Sequence, residues 1–177
     1  GEGGAVATSD EGVATRARAL RDHGQTSRHV HGEIGYNSRL DGLQSAVLRL
    51  KLCRLDAWND ERRRLAERYR EALSGLPVLL PSDPEGGTHV YHLYPLQTNR
   101  RGALEAHLAQ CAIGTSRHYP TPIHLQPAFA ELGHRLGSFP EAERYSDQHL
   151  SLPLYPGMAP SSVDRVADAI REFFGPS

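Results

Sequence analysis

GEIGYNSRLDGLQSAVLRLKL, residues 32–52, sets a polar, conformationally demanding stretch, Gly35-Tyr36-Asn37-Ser38-Arg39, directly against the start of an apolar-striped helix. Leu40, Leu43, Val47 and Leu50 recur at three- and four-residue spacing, and Ala46, Leu48 and Leu52 widen the stripe, so the helix is expected to be buried on more than one side. Ser38-Arg39-Leu40-Asp41 reads as its cap. A helix start carries unpaired N–H groups and the positive end of a dipole, so polar residues gathered there often hold an anion; the plainer reading is simply a capped helix.

On the N-terminal side, Gly1-Glu2-Gly3-Gly4-Ala5-Val6-Ala7-Thr8 reads as a glycine-rich turn running into a short strand. That strand has nothing before it to pair with and no initiator Met, so the chain is expected to start in the middle of a larger fold. Thr8 to Glu11 forms a capping box for a helix through about Asp22, which His23-Gly24 stops. Gln25 to Asn37 is a polar loop bearing His29 and His31, without periodicity and long enough to be functional.

On the C-terminal side the helical pattern resumes after Asp56 with Trp58, Leu65, Tyr69 and Leu73, and ends at Ser74-Gly75-Leu76-Pro77. Its many arginines alternate with Glu61, Glu67 and Glu71, the pattern of a solvated face. Thr88 to Leu96 alternates like an aromatic-rich strand, a helix runs from about Arg101 to Cys111, and Ile113 to Tyr119 reads as a further strand broken by Pro120-Thr121-Pro122. Ser138-Phe139-Pro140-Glu141 opens a helix to about His149, and Ser151 to Tyr155 is short and extended. Ser161-Ser162-Val163-Asp164 caps a closing helix with Val163, Val166, Ile170 and Phe173 on one face. Strands separated by helices predict a small α/β sandwich from about residue 56 onward.

The 177 residues suffice for one domain with a real core, or a small domain plus part of another. A formal net charge of -1 lacks the basic field of a nucleic-acid binder. No apolar run reaches membrane-spanning length and no basic-then-apolar leader is present, so a membrane location is not expected. Cys53 and Cys111 form no CxxC pair, which fits the cytoplasm. Among the basic residues there is one lysine, Lys51.

Metal and hydrolase chemistry find no support, since neither HxxxH, HxxE nor GxSxG occurs. TSRHYPTPIHLQP, residues 115–127, differs in kind: a strand ends in polar groups and two prolines then fix a turn. From these residues alone a structural turn and a ligand-facing loop remain equally open.

Six ordered blocks carry a resemblance: Gly1-Glu2-Gly3-Gly4-Ala5, Arg21-Asp22-His23-Gly24, Gly35-Tyr36-Asn37-Ser38-Arg39-Leu40, His89 to Tyr94, His118 to His124, and Ser151 to Pro156. Together they resemble the DegT/StrS family of fold-type I, pyridoxal-phosphate-dependent nucleotide-sugar aminotransferases, over the second half of that family's pattern. The resemblance implies an α/β fold, the C-terminal portion of a fold-type I PLP transferase. Residues 1–55 would be the C-terminal end of the large PLP-binding domain, and residues 56–177, reached by a long interdomain helix, the small α/β sandwich domain.

It further implies a homodimer in which Asn37 reaches the pyridoxal 5'-phosphate of the other subunit. His118 and Tyr119 would face the sugar or its phosphates, with His124 behind them. His29 and His31 would lie on a loop over the partner's sugar-nucleotide pocket, and Arg39 is counted with these substrate-binding residues. The implied reaction moves an amino group, usually from glutamate, to a nucleotide-linked keto-sugar. The lysine that holds the cofactor precedes the glycine-rich turn in the family, and Lys51 lies too far along the helix to replace it. The chain alone is therefore expected to be inactive. A truncated, non-catalytic binding or dimerisation module, or a same-fold sugar dehydratase with histidine in place of lysine, are the alternatives.

Overall fold

The computed structural model describes residues 4–175 of the chain. Two compact units emerge, Gly1–Leu55 and Asp56–Ser177.

In the first unit, α1 (Glu11–Arg21) starts on Asp10, whose carboxylate accepts the Val13 N–H at 3.0 Å. The cap is thus Asp10 and not Thr8; the Thr8 hydroxyl instead accepts the Asp10 N–H at 3.1 Å, one step outside the helix. Residues 4–8 are in no strand, and residues 1–3 of that reading lie outside the described residues. At the other end of α1 both His23 and Gly24 take left-handed backbone, at φ 60° and 70°, and the Gly24 N–H returns to the Ala19 carbonyl at 2.8 Å.

The expected irregular loop contains an antiparallel hairpin, β1 (Gln25–Ser27) with β2 (Val30–His31), turning through His29 at φ 66°. Neither strand buries a face, so no alternation of apolar and polar residues announced it. Helix α2 (Gly42–Leu52) follows Asp41, whose side chain caps nothing and meets Gln44 Nε2 at 3.5 Å. The apolar stripe of α2, expected to be buried, is not: the helix has no buried residue, and Leu43 is 80% exposed. A turn at Cys53-Arg54 separates α2 from α3 (Leu55–Ala72), so the single long helix expected here is two helices.

In the second unit β3 (Tyr94–Gln97) and β4 (His149–Leu152) pair antiparallel, from Tyr94 opposite Leu152 to Gln97 opposite His149. Single-residue bridges extend the pair on both sides, Leu79 to Gln97 and Ser116 to Ser151. Two expected strands are therefore shorter than their sequence pattern. In the first, the Asp83 carboxylate takes the His89 N–H and the His89 ring takes the Tyr91 N–H at 2.7 Å, so side chains capture amides a ladder would need. In the second, Ser116 exchanges both backbone bonds with Ser151, but the next outward amide, that of His118, goes to a side chain.

Helices α4 (Arg101–Gln110) and α6 (Pro160–Phe174) pack together, and α4 also meets β4. Leu104 and Leu108 of α4, Val163, Val166 and Ile170 of α6, Leu65 and Tyr69 of α3, and Leu96 and Leu150 of the sheet form one core. Each buried Leu or Ile contributes roughly 2 kcal/mol of transfer free energy. Among the described residues every buried hydrophobic side chain lies in this second unit.

The expected capping boxes also differ here. Helix α5 (Pro140–Gln148) is capped by Glu143, whose carboxylate accepts the N–H groups of Gly137 and Phe139, while Ser138 turns back to Arg135. Helix α6 starts at Pro160, one residue before the expected Ser161, so its cap position falls on Ala159, which has no side-chain acceptor, and Asp164 pairs with Arg68 at 2.6 Å. The arginine face of α3 is not merely solvated either. Arg62 donates to the carbonyls of Tyr91, His92 and Leu154, tying α3 to two distant segments.

Candidate functional site

Each unit carries one candidate site. In the first, Gly35 to Ser38 lies along the C-terminal end of α1. The Tyr36 N–H meets the Leu20 carbonyl at 2.7 Å, the His23 N–H meets the Tyr36 carbonyl at 2.9 Å, and the Ser38 N–H meets the Arg21 carbonyl at 2.9 Å. The orphan carbonyls of the helix end are thereby paired, and the Arg21-Asp22-His23-Gly24 and Gly35-Tyr36-Asn37-Ser38 blocks become one structure.

Asp22 organises the polar face of this clasp. Its carboxylate accepts Gln25 Nε2 at 3.1 Å and faces Arg39 Nη1 at 3.2 Å, and its backbone bridges to Asn37. Arg39 Nε in turn donates to Asn37 Oδ1 at 3.3 Å. An arginine only donates, so the Asn37 oxygen must face it and the two amide N–H groups point away, on an exposed residue. A cavity of about 940 Å³ opens beside the clasp, between the segment 4–8, Arg18 and Arg21 of α1, and Ser38 to Asp41.

His31 sits on β2, its Nδ1 on the His23 carbonyl at 2.9 Å, and His29 sits at the hairpin turn with its ring accepting from Arg28. Lys51 is exposed on α2. Among the described residues no group of His, Cys, Asp and Glu has the arrangement to hold a metal ion.

In the second unit His118, Tyr119 and His124 line a single cavity of about 560 Å³, with Phe129, Phe139 and Tyr145 supplying much of its apolar wall. The His118–Tyr119 peptide is cis. His118 Nδ1 lies 3.0 Å from the Ser151 hydroxyl and its backbone N–H 2.6 Å from His149 Nε2. His124, almost fully buried, pairs with Glu143 Oε1 at 2.9 Å. The N–H of Gly137, and with it those of Phe139 and His124, holds the Glu143 carboxyl below its ordinary range.

Reading the sequence alone missed Asp22, Glu143, His149 and Ser151 as organisers of these sites. For His149 and Ser151 a signal existed, since alternate residues of a strand share one face.

A segmented clasp presenting an amide donor, with a small α/β unit holding a histidine-lined cavity, defines the class to which comparison with known proteins then points. The chain belongs to the DegT/DnrJ/EryC1/StrS aminotransferase family, which matches residues 1–171. It is 44% identical over 174 residues to the dTDP-3-amino-3,4,6-trideoxy-alpha-D-glucose transaminase of Streptomyces venezuelae, covering 98% of this chain and 46% of the relative. It is 39% identical over 177 residues to the pleiotropic regulatory protein of Geobacillus stearothermophilus, covering 98% and 48%. The crystal structure of S. venezuelae DesV in complex with a ketimine intermediate superposes with a TM-score of 0.92 at 42% identity, over 96% of this chain and 46% of that one. A DegT DnrJ EryC1 StrS aminotransferase from Brucella abortus gives 0.88 at 33% identity, over 96% and 45%. The chain spans about half the length of the curated relatives it matches. Its fold is part of the α/β fold of fold-type I PLP transferases, and among the described residues no helix is long and apolar enough to cross a membrane.

Proposed function

We propose that the chain is the C-terminal part of a cytoplasmic, homodimeric, pyridoxal-phosphate-dependent aminotransferase acting on a keto-sugar carried by a nucleoside diphosphate, with glutamate as amino donor. Relatives named as transaminases of dTDP- and UDP-linked amino sugars support the substrate class. In this reading Gly1–Leu55 is the end of the large domain and Asp56–Ser177 the small domain.

The observation that carries the reading is the Asn37 carboxamide, turned outward as a donor by Arg39. A neutral N–H donor on a fixed backbone fits a phosphate oxygen, and Asn37 would hold the cofactor phosphate of the other subunit. The exposed stripe of α2, with Leu43, Val47 and Leu50 uncovered, supports a further protein surface over this unit.

His118 and Tyr119 would orient the sugar or its phosphates at the cavity, with His124 steadying the turn through Glu143. His29, His31 and Arg39 would serve the partner's substrate pocket. Pyridoxal phosphate, when bound, supplies the electron sink for amino-group transfer. The lysine that anchors it is supplied outside these 177 residues, since Lys51 rides an exposed face of α2, and the chain by itself does not transaminate.

The test is an assay of the intact protein containing this chain, with pyridoxal phosphate, glutamate and a panel of dTDP- and UDP-linked keto-hexoses, read by mass spectrometry. Formation of an amino sugar from at least one member is expected. A protein that retains the cofactor yet aminates none of the panel overturns the reading.

A further inference from the structure

We propose that His149 is a positioning residue, whose uncharged Nδ1–H imidazole fixes the His118 backbone and the Tyr145 ring as adjoining parts of the wall of the second unit's cavity. His118 and Tyr145 both line that cavity, whereas His149 is fully buried behind them.

The hydrogen bonds admit one tautomer. The His118 backbone N–H can only donate, and it meets His149 Nε2 at 2.6 Å, so Nε2 must accept. The Tyr145 carbonyl can only accept, and it meets His149 Nδ1 at 2.7 Å, so Nδ1 must carry the proton. The two rings, Tyr145 and His149, stack with centroids 4.6 Å apart and planes 3° apart. Two residues further along β4, on the same face, Ser151 holds the His118 side chain at 3.0 Å. Alternate residues of one strand thus hold both the main chain and the ring of His118.

Protonating Nε2 would set N–H against N–H at the His118 contact and release the segment. The surroundings oppose that protonation. Burial pushes the His149 imidazole below its ordinary value; the Tyr145 carbonyl pulls the other way, and His118, Arg101 and Arg117 add like-charge repulsion. Arg101 of α4 and Arg117 face it already paired with carboxylates, which offset part of their charge: Glu105 lies 2.9 Å from Arg101 and 3.9 Å from Arg117, and Asp147 lies 4.0 Å from Arg101. The wall is therefore set at neutral pH and loosens once His149 gains a proton. Only the consequence for substrate binding rests on the functional reading above; the hydrogen-bond pattern is tested without substrate.

The experiment is NMR on the intact protein containing this chain, labelled with ¹⁵N at histidine for the ring and uniformly, with deuteration, for amides. Long-range ¹H–¹⁵N correlations should show His149 as the Nδ1–H tautomer, and the His118 amide should be protected from exchange. His149→Phe, which cannot accept, should reduce that protection at least tenfold. The unmodified protein should lose His118 protection as pH falls and His149 gains its proton, and His149→Gln, whose carboxamide oxygen can accept, should recover most of the protection without that acid-dependent loss. An Nε2–H tautomer, unchanged His118 protection in His149→Phe, or the same acid-dependent loss in His149→Gln would overturn the proposal. The tautomer and the acid-dependent loss are read on the unmodified chain, so they decide the matter even if His149→Phe does not fold. A failed amination assay leaves all of these readouts intact.

Discussion

Gly24 and Gly35 approach so closely that a Cβ placed on Gly35 would lie 2.1 Å from the Gly24 nitrogen, and one placed on Gly24 would lie 1.8 Å from the Glu33 carbonyl oxygen. These are backbone contacts that no side-chain rotation relieves. Gly24 also sits at φ 70°, where other residues are strained. Gly35→Ala should therefore open the clasp at a cost above about 2 kcal/mol, read as a more than roughly 30-fold loss of exchange protection at the His23 and Tyr36 amides. Undiminished protection would show that the two blocks are not held together by this approach.

Arg62 Nη1 shares its two N–H groups among three carbonyls, those of Tyr91, His92 and Leu154, at 3.2–3.3 Å. Arg62→Met keeps the aliphatic stem and removes the donor, so the carbonyls lose a charged partner. A destabilisation of about 1–3 kcal/mol is expected in urea unfolding, as a lower midpoint with an unchanged slope. Arg63, whose only ion pair among the described residues is with the exposed Asp60 one turn away, should be replaceable by Met within about 0.5 kcal/mol.

Two buried tyrosines should respond oppositely to loss of their hydroxyls. Tyr69 donates to the Pro153 carbonyl at 2.9 Å, whereas the Tyr94 hydroxyl has no hydrogen-bond partner among the described residues. Burial raises the pKa of both phenols. Tyr69→Phe should cost about 1 kcal/mol and Tyr94→Phe should be neutral or stabilising, measured side by side by chemical denaturation.

Glu143 gives the second unit an acid-sensitive joint. Amide hydrogen bonds from Gly137 and Phe139, with His124 beside them, lower its pKa in the folded chain relative to the ordinary 4.5. The unfolded state therefore binds the proton more readily. The stabilisation is fully present above about pH 4.5 and is lost as pH falls through the lowered folded value. Glu143→Gln should remove this share of the acid-dependent loss, flattening the stability curve below pH 4.5. An acid limb identical to that of the unmodified chain would contradict the assignment.

The parts of the fold that could be read in advance are those where local chemistry and burial agree. Helix α4 and helix α6 were legible because Leu104 and Leu108, or Val163, Val166 and Ile170, follow the helical period and are buried in that order. The hairpin around His29 was not, because both of its faces are exposed and nothing required alternation. Residues 88–93 looked like a strand from their aromatic content, but Asp83 and His89 divert the amides that a ladder would use. The cap positions failed for a related reason. The Ser and Thr residues that match a capping pattern compete with carboxylates at Asp10 and Glu143, which hold the helix starts more strongly.

For the sites, His118, Tyr119 and His124 fall within seven residues of one another, so a short motif was enough to nominate them together. His149 and Glu143 meet them from 31 and 19 residues away, and only the register of β4 and the entry of α5 bring them there. Asn37 was nominated by family resemblance. The structure adds the reason its N–H groups face outward, namely the Arg39 donor held in place by Asp22.

The central claim is that this outward amide binds the phosphate of a cofactor held chiefly by a neighbouring protomer. Pyridoxal phosphate affinity, measured by absorbance titration of the intact protein containing this chain and its Asn37→Ala variant, tests it most directly. Loss of one hydrogen bond to a charged group predicts affinity weakened by about ten- to a hundredfold, with the apo-protein unfolding at an unchanged denaturant midpoint. Equal cofactor affinity in the two proteins would contradict the account.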